Sequence, residues 1–154
     1  MSSQWAFLVN LVATWYLVGL IWMVQIVHYN LFDRVGTDGF VRYENDHASL
    51  ITPIVGPPML IELATAFFLV VACPTGVSRN AMIVGLAAVI GIWLSTALIQ
   101  VPCHARLSKG FSESDYRLLV SSNWIRTVLW TLRGGIMLYY AGTLIRPDAS
   151  SIQP

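Results

Sequence analysis

The sequence predicts an all-α fold, namely an integral membrane four-helix bundle with short interfacial helices in its first and third loops. Only 11% of the 154 residues are charged and 56% are hydrophobic, whereas soluble domains carry about 25% charged residues. Four apolar segments, at about 5–28, 50–72, 81–101 and 124–145, reach the ~20 residues that a helix needs to cross a bilayer. They nearly exhaust the chain, so residues 1–154 are expected to form one transmembrane domain.

Net charge and cysteine content exclude two other classes of protein. A net charge of +1 leaves no basic surface for the phosphates of a nucleic acid, so no nucleic-acid partner is expected. The two cysteines, Cys73 and Cys103, are too few for a disulfide scaffold. The expected partner is therefore the lipid bilayer.

The connection between the first two spans is long and polar. It predicts a helix that is capped by Thr37 or Asp38 and continues into the second span. That span contains Pro53, Pro57 and Pro58, and a proline inside a helix removes a hydrogen bond and kinks the chain. Two interpretations stay open, a packed kink or a broken helix that opens a cavity.

The two later connections differ in length. Residues 73–79 form a minimal turn between the second and third spans. Residues 112–120 predict a short interfacial helix, with Ser112 and Asp115 as a capping box. Residues 121–123 are then expected to cap the fourth span.

Basic residues are concentrated in the two long loops. That side of the membrane carries Arg34, Arg42, Arg106, Lys109 and Arg117, with Arg126 just inside the last span, against Arg79 and Arg146 on the other side. By the positive-inside rule the long loops face the cytoplasm, and both termini lie outside. The expected location is a bacterial inner membrane.

Polar side chains recur on one face of every span. In lipid such side chains are costly and turn toward the interior of a bundle, and residues three or four apart share a helix face. The four stripes are Asn10, Thr14, Gln25 and His28; Glu44, His47, Glu62 and Thr65; Trp93, Thr96, Gln100 and His104; and Asn123, Arg126 or Thr127, Trp130 and Arg133. The pattern predicts a compact bundle with a polar interior.

Two charges fall deep inside the predicted bilayer. Counted from the long-loop side at about 1.5 Å per residue, Glu62 lies roughly 18 Å deep and Arg133 roughly 14 Å deep. We therefore expect an ion pair between them. The pair either pins two spans together or is catalytic, as a proton relay or as an anchor for an anionic group of a substrate.

The three histidines fall in one layer at the long-loop side. His28 ends the first span, His47 precedes the second and His104 follows the third. Glu44 precedes His47 by three residues, the Glu-x-x-His spacing of metal sites in helix bundles. Together these four residues could ligate one transition metal (Fe, Cu or Zn), while two of the histidines could hold a b-type haem. The alternative is a set of ordinary interfacial side chains.

Several neighbours would flank such a cofactor. Tyr43, Arg42, Trp124 and Arg126 lie at the same height, and Tyr29 adds another aromatic ring. Aromatic rings could stack on a haem and the arginines could bind its propionates. These residues are the predicted cofactor-binding set.

Long stretches of the chain resemble a group of uncharacterised bacterial four-span membrane proteins. The likeness is carried by residues 25–32, 40–47 and 57–62, and continues through residues 101–104 and 123–133, so that it spans nearly the whole chain. More loosely, the Asn-x-x-Arg at the start of the last span is similar to the anthrone-oxygenase-like domain of unknown function. The first resemblance implies no activity, and the second implies redox chemistry.

The leading functional hypothesis is a small membrane oxidoreductase or redox-cofactor protein. In it, Glu62 and Arg133 orient an apolar, quinone-like or polyketide-like molecule or relay protons. One alternative is a proton-coupled transporter that uses Glu62 as its titrating carboxylate. Another is a non-catalytic subunit of a larger membrane complex, and a homo-oligomer also stays open.

Overall fold

The computed structural model describes residues 2–145, and every regular element in them is helical. Arg146, which entered the predicted orientation, lies outside the described residues. The elements are α1 (Ser3–Met23), a π-helical turn (Val24–His28), a 3₁₀ helix (Tyr29–Arg34), α2 (Thr37–Val71), α3 (Arg79–Ser95), a second π-helical turn (Thr96–Gln100), α4 (Val101–Leu107) and α5 (Glu113–Ile145). They stack end to end into four helical rods, so the all-α prediction is confirmed.

The four rods pack side by side with short connections. The neighbouring pairs are α1 with α2, α2 with α3, α3 with α5, and α5 with α1, which is the arrangement of an antiparallel bundle. Three rods, residues 3–34, 37–71 and 79–107, are long and apolar enough to cross a membrane. The fourth rod, α5, is not among them, because polar and charged residues interrupt its apolar sequence.

The bundle is apolar outside and polar inside. Large apolar side chains such as Leu60, Phe67 and Leu98 are exposed on its outer surface. Most residues of the predicted interior stripes are buried, whereas His28, Trp93, Thr96 and His104 are half-buried. The buried polar residues include Asn10, Thr14, Gln25, Glu44, His47, Glu62, Thr65, Gln100, Asn123, Arg126, Thr127 and Arg133. This distribution suits a protein whose surroundings are lipid.

Helix α2 is unbroken, although it contains three prolines. It begins directly after Gly36, whose φ of +81° suits a residue without a side chain. The predicted cap at Thr37 or Asp38 is therefore wrong, and the Thr37 hydroxyl donates to the Asp38 carboxylate instead. The loop helix expected before the second span is simply the first part of α2, and the broken-helix interpretation is also wrong.

Helix α5 likewise absorbs the interfacial helix predicted in the third loop. Ser112 accepts a hydrogen bond from the backbone N–H of Asp115 at 3.4 Å, which is half of the expected capping box. No new helix begins at residues 121–123. Ser121 and Ser122 donate to backbone carbonyls three residues earlier, so they stay within the helix.

Both π-helical turns lie at the height of the histidines. The turn Thr96–Gln100 precedes Pro102, whose ring would clash with the carbonyl of Leu98 in a regular α-helix. The turn Val24–His28 leaves backbone carbonyls that the side chain of Asn30 caps at 3.0 Å. Such turns re-aim the side chains that they carry.

Candidate functional site

A cavity of about 500 Å³ opens between α2 and the π turn with α4. This volume is typical of sites for small molecules, which occupy roughly 300–1,000 Å³. Ala48 and Gly56 leave space on the α2 side. Thr52, Val101 and Ala105 line the cavity and are exposed on the outer face of the bundle, so its mouth opens sideways.

The walls of the cavity are mainly apolar, and its polar lining residues, apart from Thr52 and Trp93, belong to the histidine layer or to the residues around it. The apolar walls include Leu17, Ile21, Val55, Met59 and Trp130. The polar end is formed by Tyr29, His47, Thr96, Gln100, His104 and Arg126. Apolar walls with a few convergent polar groups are the usual composition of a ligand site.

Three of these polar groups belong to one hydrogen-bonded chain that ends on Glu44. The Tyr29 hydroxyl lies 3.3 Å from Nη2 of Arg126 and 3.0 Å from Nε2 of His104. Arg126 can only donate, so the Tyr29 O–H is left to donate to His104. His104 Nδ1–H then donates to Oε1 of Glu44 at 2.5 Å.

Arg126 is held in place by residues on its own helix and on the first and third rods. Its Nε and Nη2 both donate to the side-chain oxygen of Asn123, and Nη1 donates to the Thr96 hydroxyl at 3.5 Å. Asn123 in turn donates to Gln25 at 2.8 Å. Arg126 is only 7% exposed, and each of its partners is an uncharged oxygen.

The three histidines come together as the sequence predicted. His28 Nε2 lies 2.8 Å from His47 Nδ1, and the rings of His47 and His104 are centred 5.3 Å apart. Within residues 2–145, however, no three histidine, cysteine or acidic side chains are arranged to hold a metal ion. An iron between two imidazoles needs the nitrogens about 4 Å apart, twice the ~2 Å metal–nitrogen distance, so the His28–His47 contact is too close for a haem iron.

Two buried polar atoms near this chain have no hydrogen-bond partner in the described part of the protein. They are Oε2 of Glu44 and the indole Nε1 of Trp93. Glu44 is completely buried (0% exposed), and Trp93 lines the cavity. Buried unpaired polar atoms are rare and call for an explanation, such as a bound ligand.

The other predicted cofactor residues fall in different places. Tyr43 lies beside His28, with the two rings centred 6.2 Å apart, and both line a shallower cleft on the outer side of His47. The Arg42 side chain is 91% exposed and lies 3.8 Å from Asp46. Trp124 packs edge-on against Trp22 on the outer surface. Of the predicted set, Arg126 and the additional ring Tyr29 line the main cavity.

The predicted ion pair between Glu62 and Arg133 is confirmed. Nε of Arg133 donates to Oε1 of Glu62 at 2.9 Å, and Nη2 donates to Asn10 at 2.7 Å. Glu62 also accepts from Thr14 and from the indole of Trp130, so both of its oxygens are used. Neither Glu62 nor Arg133 lines the cavity.

Gly85 is a residue of this region that sequence reasoning missed. A Cβ at this position would lie 2.6 Å from Nη1 of Arg133, so a larger residue would have to displace a guanidinium that Glu62 and Asn10 hold. Gly85 lies within an ordinary apolar span, and nothing in the sequence pattern connects it with an arginine 48 positions later.

Comparisons with family models, with curated proteins and with solved structures give no match to this chain. The two resemblances stated above therefore stay predictions.

Proposed function

We propose that this protein is a four-span membrane protein that takes a small, mainly apolar molecule from the bilayer into the cavity beside Arg126. The observation that carries the proposal is the cavity itself, which has apolar walls, a sideways mouth and one polar end. A molecule with an oxygen at one end, such as a quinone, matches this distribution. Its oxygen would lie against Arg126 and Tyr29.

The proposal includes α5 as the fourth span. Its 33 residues reach about 50 Å at 1.5 Å per residue, more than the ~30 Å of a hydrocarbon core. Two of its three arginines, Arg126 and Arg133, are buried against other helices, and Arg117 lies near its first turn. On its outer face Leu132, Leu138 and Ile125 are exposed. The side of α5 that would meet lipid is therefore apolar.

The polar end of the cavity contains hydrogen-bonded groups that could exchange a proton with the bound molecule. The Tyr29 hydroxyl lies between the donor Arg126 and the ring of His104. When His104 carries a second proton, the Glu44 carboxylate stabilises the positively charged ring. Tyr29 can then give its proton to a ligand oxygen while His104 Nε2–H passes its own proton to Tyr29, which leaves the neutral ring described above. Arg126 would stabilise negative charge on the ligand oxygen.

Binding can be tested with purified protein in nanodiscs of neutral lipid. Trp93 and Trp130 line the cavity, so a short-tailed quinone should change their fluorescence. Arg126→Gln should weaken this binding by about tenfold or more, whereas the matched control Arg117→Gln, at an exposed arginine on the same helix, should not. A wild-type protein that binds neither quinones nor other small lipid-soluble molecules would overturn the proposal.

A second candidate is a redox site with one transition metal in the histidine layer, as in the predicted oxidoreductase. It is favoured by three imidazoles from three rods beside a buried carboxylate with a free oxygen. To bind a metal through His28 and His47, their mutual hydrogen bond must open. A haem needs a still larger separation of these rings.

This second candidate is tested by an absorption spectrum and metal analysis of the native purified protein. Stoichiometric Fe, Cu or Zn that disappears in His28→Ala and His47→Ala would support it. A colourless, metal-free sample that binds none of these ions when they are added would refute it. Neither result depends on whether the cavity binds a quinone.

A further inference from the structure

Arg126 is a buried cation, and the described part of the chain places no carboxylate beside it. Every salt bridge within residues 2–145 is made by other side chains, so none places an acidic oxygen within 4.0 Å of its guanidinium. Arg133, the other buried arginine of α5, has Glu62 at 2.9 Å. The two arginines lie on one helix and are similarly buried, so the missing partner distinguishes Arg126.

The existing contacts of Arg126 do not replace a counter-ion. Its three partners, the side chains of Asn123, Thr96 and Tyr29, are neutral. The nearest carboxylate along the hydrogen-bonded chain is Glu44, which is separated from it by Tyr29 and His104 and is already bonded to the latter. A buried charge without a direct partner is strongly destabilising.

We infer that the cavity binds a lipid-soluble acid, whose anionic oxygens pair directly with Arg126. The inference rests on the proposed function and narrows its ligand from any oxygen-bearing apolar molecule to an amphiphilic monoanion. Arg126 lines the cavity, and one of its Nη1–H groups has no partner in the described residues. The Nη2–H that points at the Tyr29 hydroxyl from 3.3 Å can turn to a carboxylate as the second, parallel donor. The unpaired indole N–H of Trp93, a wall residue one turn before Thr96, is a further donor.

The size and the apolar walls of the cavity limit what the uncharged part of the ligand can be. Leu17, Ile21 and Val55 provide an apolar surface for one short tail or ring. One arginine balances a single negative charge, and a two-chain phospholipid is too large for about 500 Å³. A carboxylate with one aliphatic chain satisfies both conditions.

The experiment compares two molecules that differ only in charge. Decanoate and decanol are added to the protein in phosphatidylcholine nanodiscs at about pH 8, where a carboxyl group is ionised. Binding is followed by tryptophan fluorescence, and affinity is expressed as the mole fraction of ligand in the bilayer. Decanoate should bind at least about tenfold more tightly than decanol.

Two substitutions locate the charge that is recognised. Arg126→Gln should reduce decanoate binding to the level of decanol, and Arg126→Lys should retain part of the preference because it keeps the charge but loses the paired donors. Arg117→Gln is the control, since Arg117 is exposed and pairs only with Glu113 within the described residues. A folded Arg126→Gln protein that still prefers decanoate would overturn the inference.

The wild-type comparison keeps the inference testable even if an Arg126 variant fails to fold. Equal binding of decanoate and decanol would overturn the acid preference while leaving the proposed cavity function intact. If neither of them binds and a short-tailed quinone also fails to bind, the proposed function fails together with the inference. If the protein binds the quinone more tightly than decanoate, the inferred preference for an acid is also refuted, while the proposed cavity function stands.

Discussion

Glu62→Gln should lower the stability of this protein strongly, because it leaves the positive charge of Arg133 inside the bundle without a counter-ion. The two side chains are 1% and 2% exposed, respectively. Glutamine keeps an oxygen that Thr14 or Trp130 can still use as an acceptor. The main loss is therefore the charge that neutralises Arg133.

The expected size of the effect follows from the geometry of the pair. Opposite unit charges 2.9 Å apart attract by about 6 kcal/mol at an effective dielectric constant near 20. Part of this attraction offsets the cost of removing both groups from water, and losing one partner of a buried pair typically costs about 3–5 kcal/mol. We expect the same range for Glu62→Gln.

The assay is the free energy of unfolding in mixed micelles, measured by circular dichroism over an increasing fraction of dodecyl sulfate. The single variants Glu62→Gln and Arg133→Met are compared with the double variant, which should lose less stability than the sum of the singles. Glu113→Gln is the matched control, because its exposed pair with Arg117 is worth less than about 1 kcal/mol.

One result would refute this reasoning directly. If Glu62→Gln is as stable as the wild type but no longer binds or moves the ligand, Glu62 acts in function rather than in packing. That result would support the transporter hypothesis, in which Glu62 is the carboxylate that takes up and releases the proton.

Three further substitutions test the interior and the cavity. Gly85→Ala puts a methyl group 2.6 Å from Arg133 and should destabilise the fold by about 1–3 kcal/mol, measured by the same unfolding assay. Thr52→Phe fills the exposed mouth of the cavity and should abolish the ligand-induced changes in Trp93 and Trp130 fluorescence without loss of stability. Asn123→Ala removes the oxygen that holds Arg126 and should cost about 1–3 kcal/mol as well as weaken decanoate binding; unchanged binding would show that Arg126 needs no such support.

The fold was predictable where it depends on patterns within a single helix, namely its length, its apolar content and the spacing of its polar residues. Apolar segments of bilayer length and a polar residue every three or four positions were enough to place Asn10, Glu62 and Arg133 inside the same bundle. The errors concern helix boundaries. Residues 121–123 look like a cap, yet within a packed helix their side chains bond to the preceding turn, so the interruption never forms.

The candidate site was predictable in part, for a related reason. The histidine layer can be predicted by counting residues from the membrane surface. Which side chains contact each other within the layer depends on how each helix is rotated about its own axis, and a few tens of degrees are enough to change the partners. Glu44 contacts His104 on another rod, and the Glu-x-x-His spacing within α2 gives no indication of this partner. The cavity depends on a π turn and on small residues facing each other across helices, neither of which has a signature in one span alone.

The two buried arginines of α5 also have a consequence for the assembly of the bundle. An arginine at the centre of a lone helix opposes insertion into a bilayer by about 2.5–3.5 kcal/mol, so we expect α5 to be a poor membrane segment by itself. Earlier helices supply the partners of these charges: Glu62 on α2 and Asn10 on α1 bind Arg133, and Tyr29 and Thr96 of the first and third rods bind Arg126. We therefore expect α5 to insert after the preceding helices, and a chain from which α1 and α2 are deleted should fail to insert it.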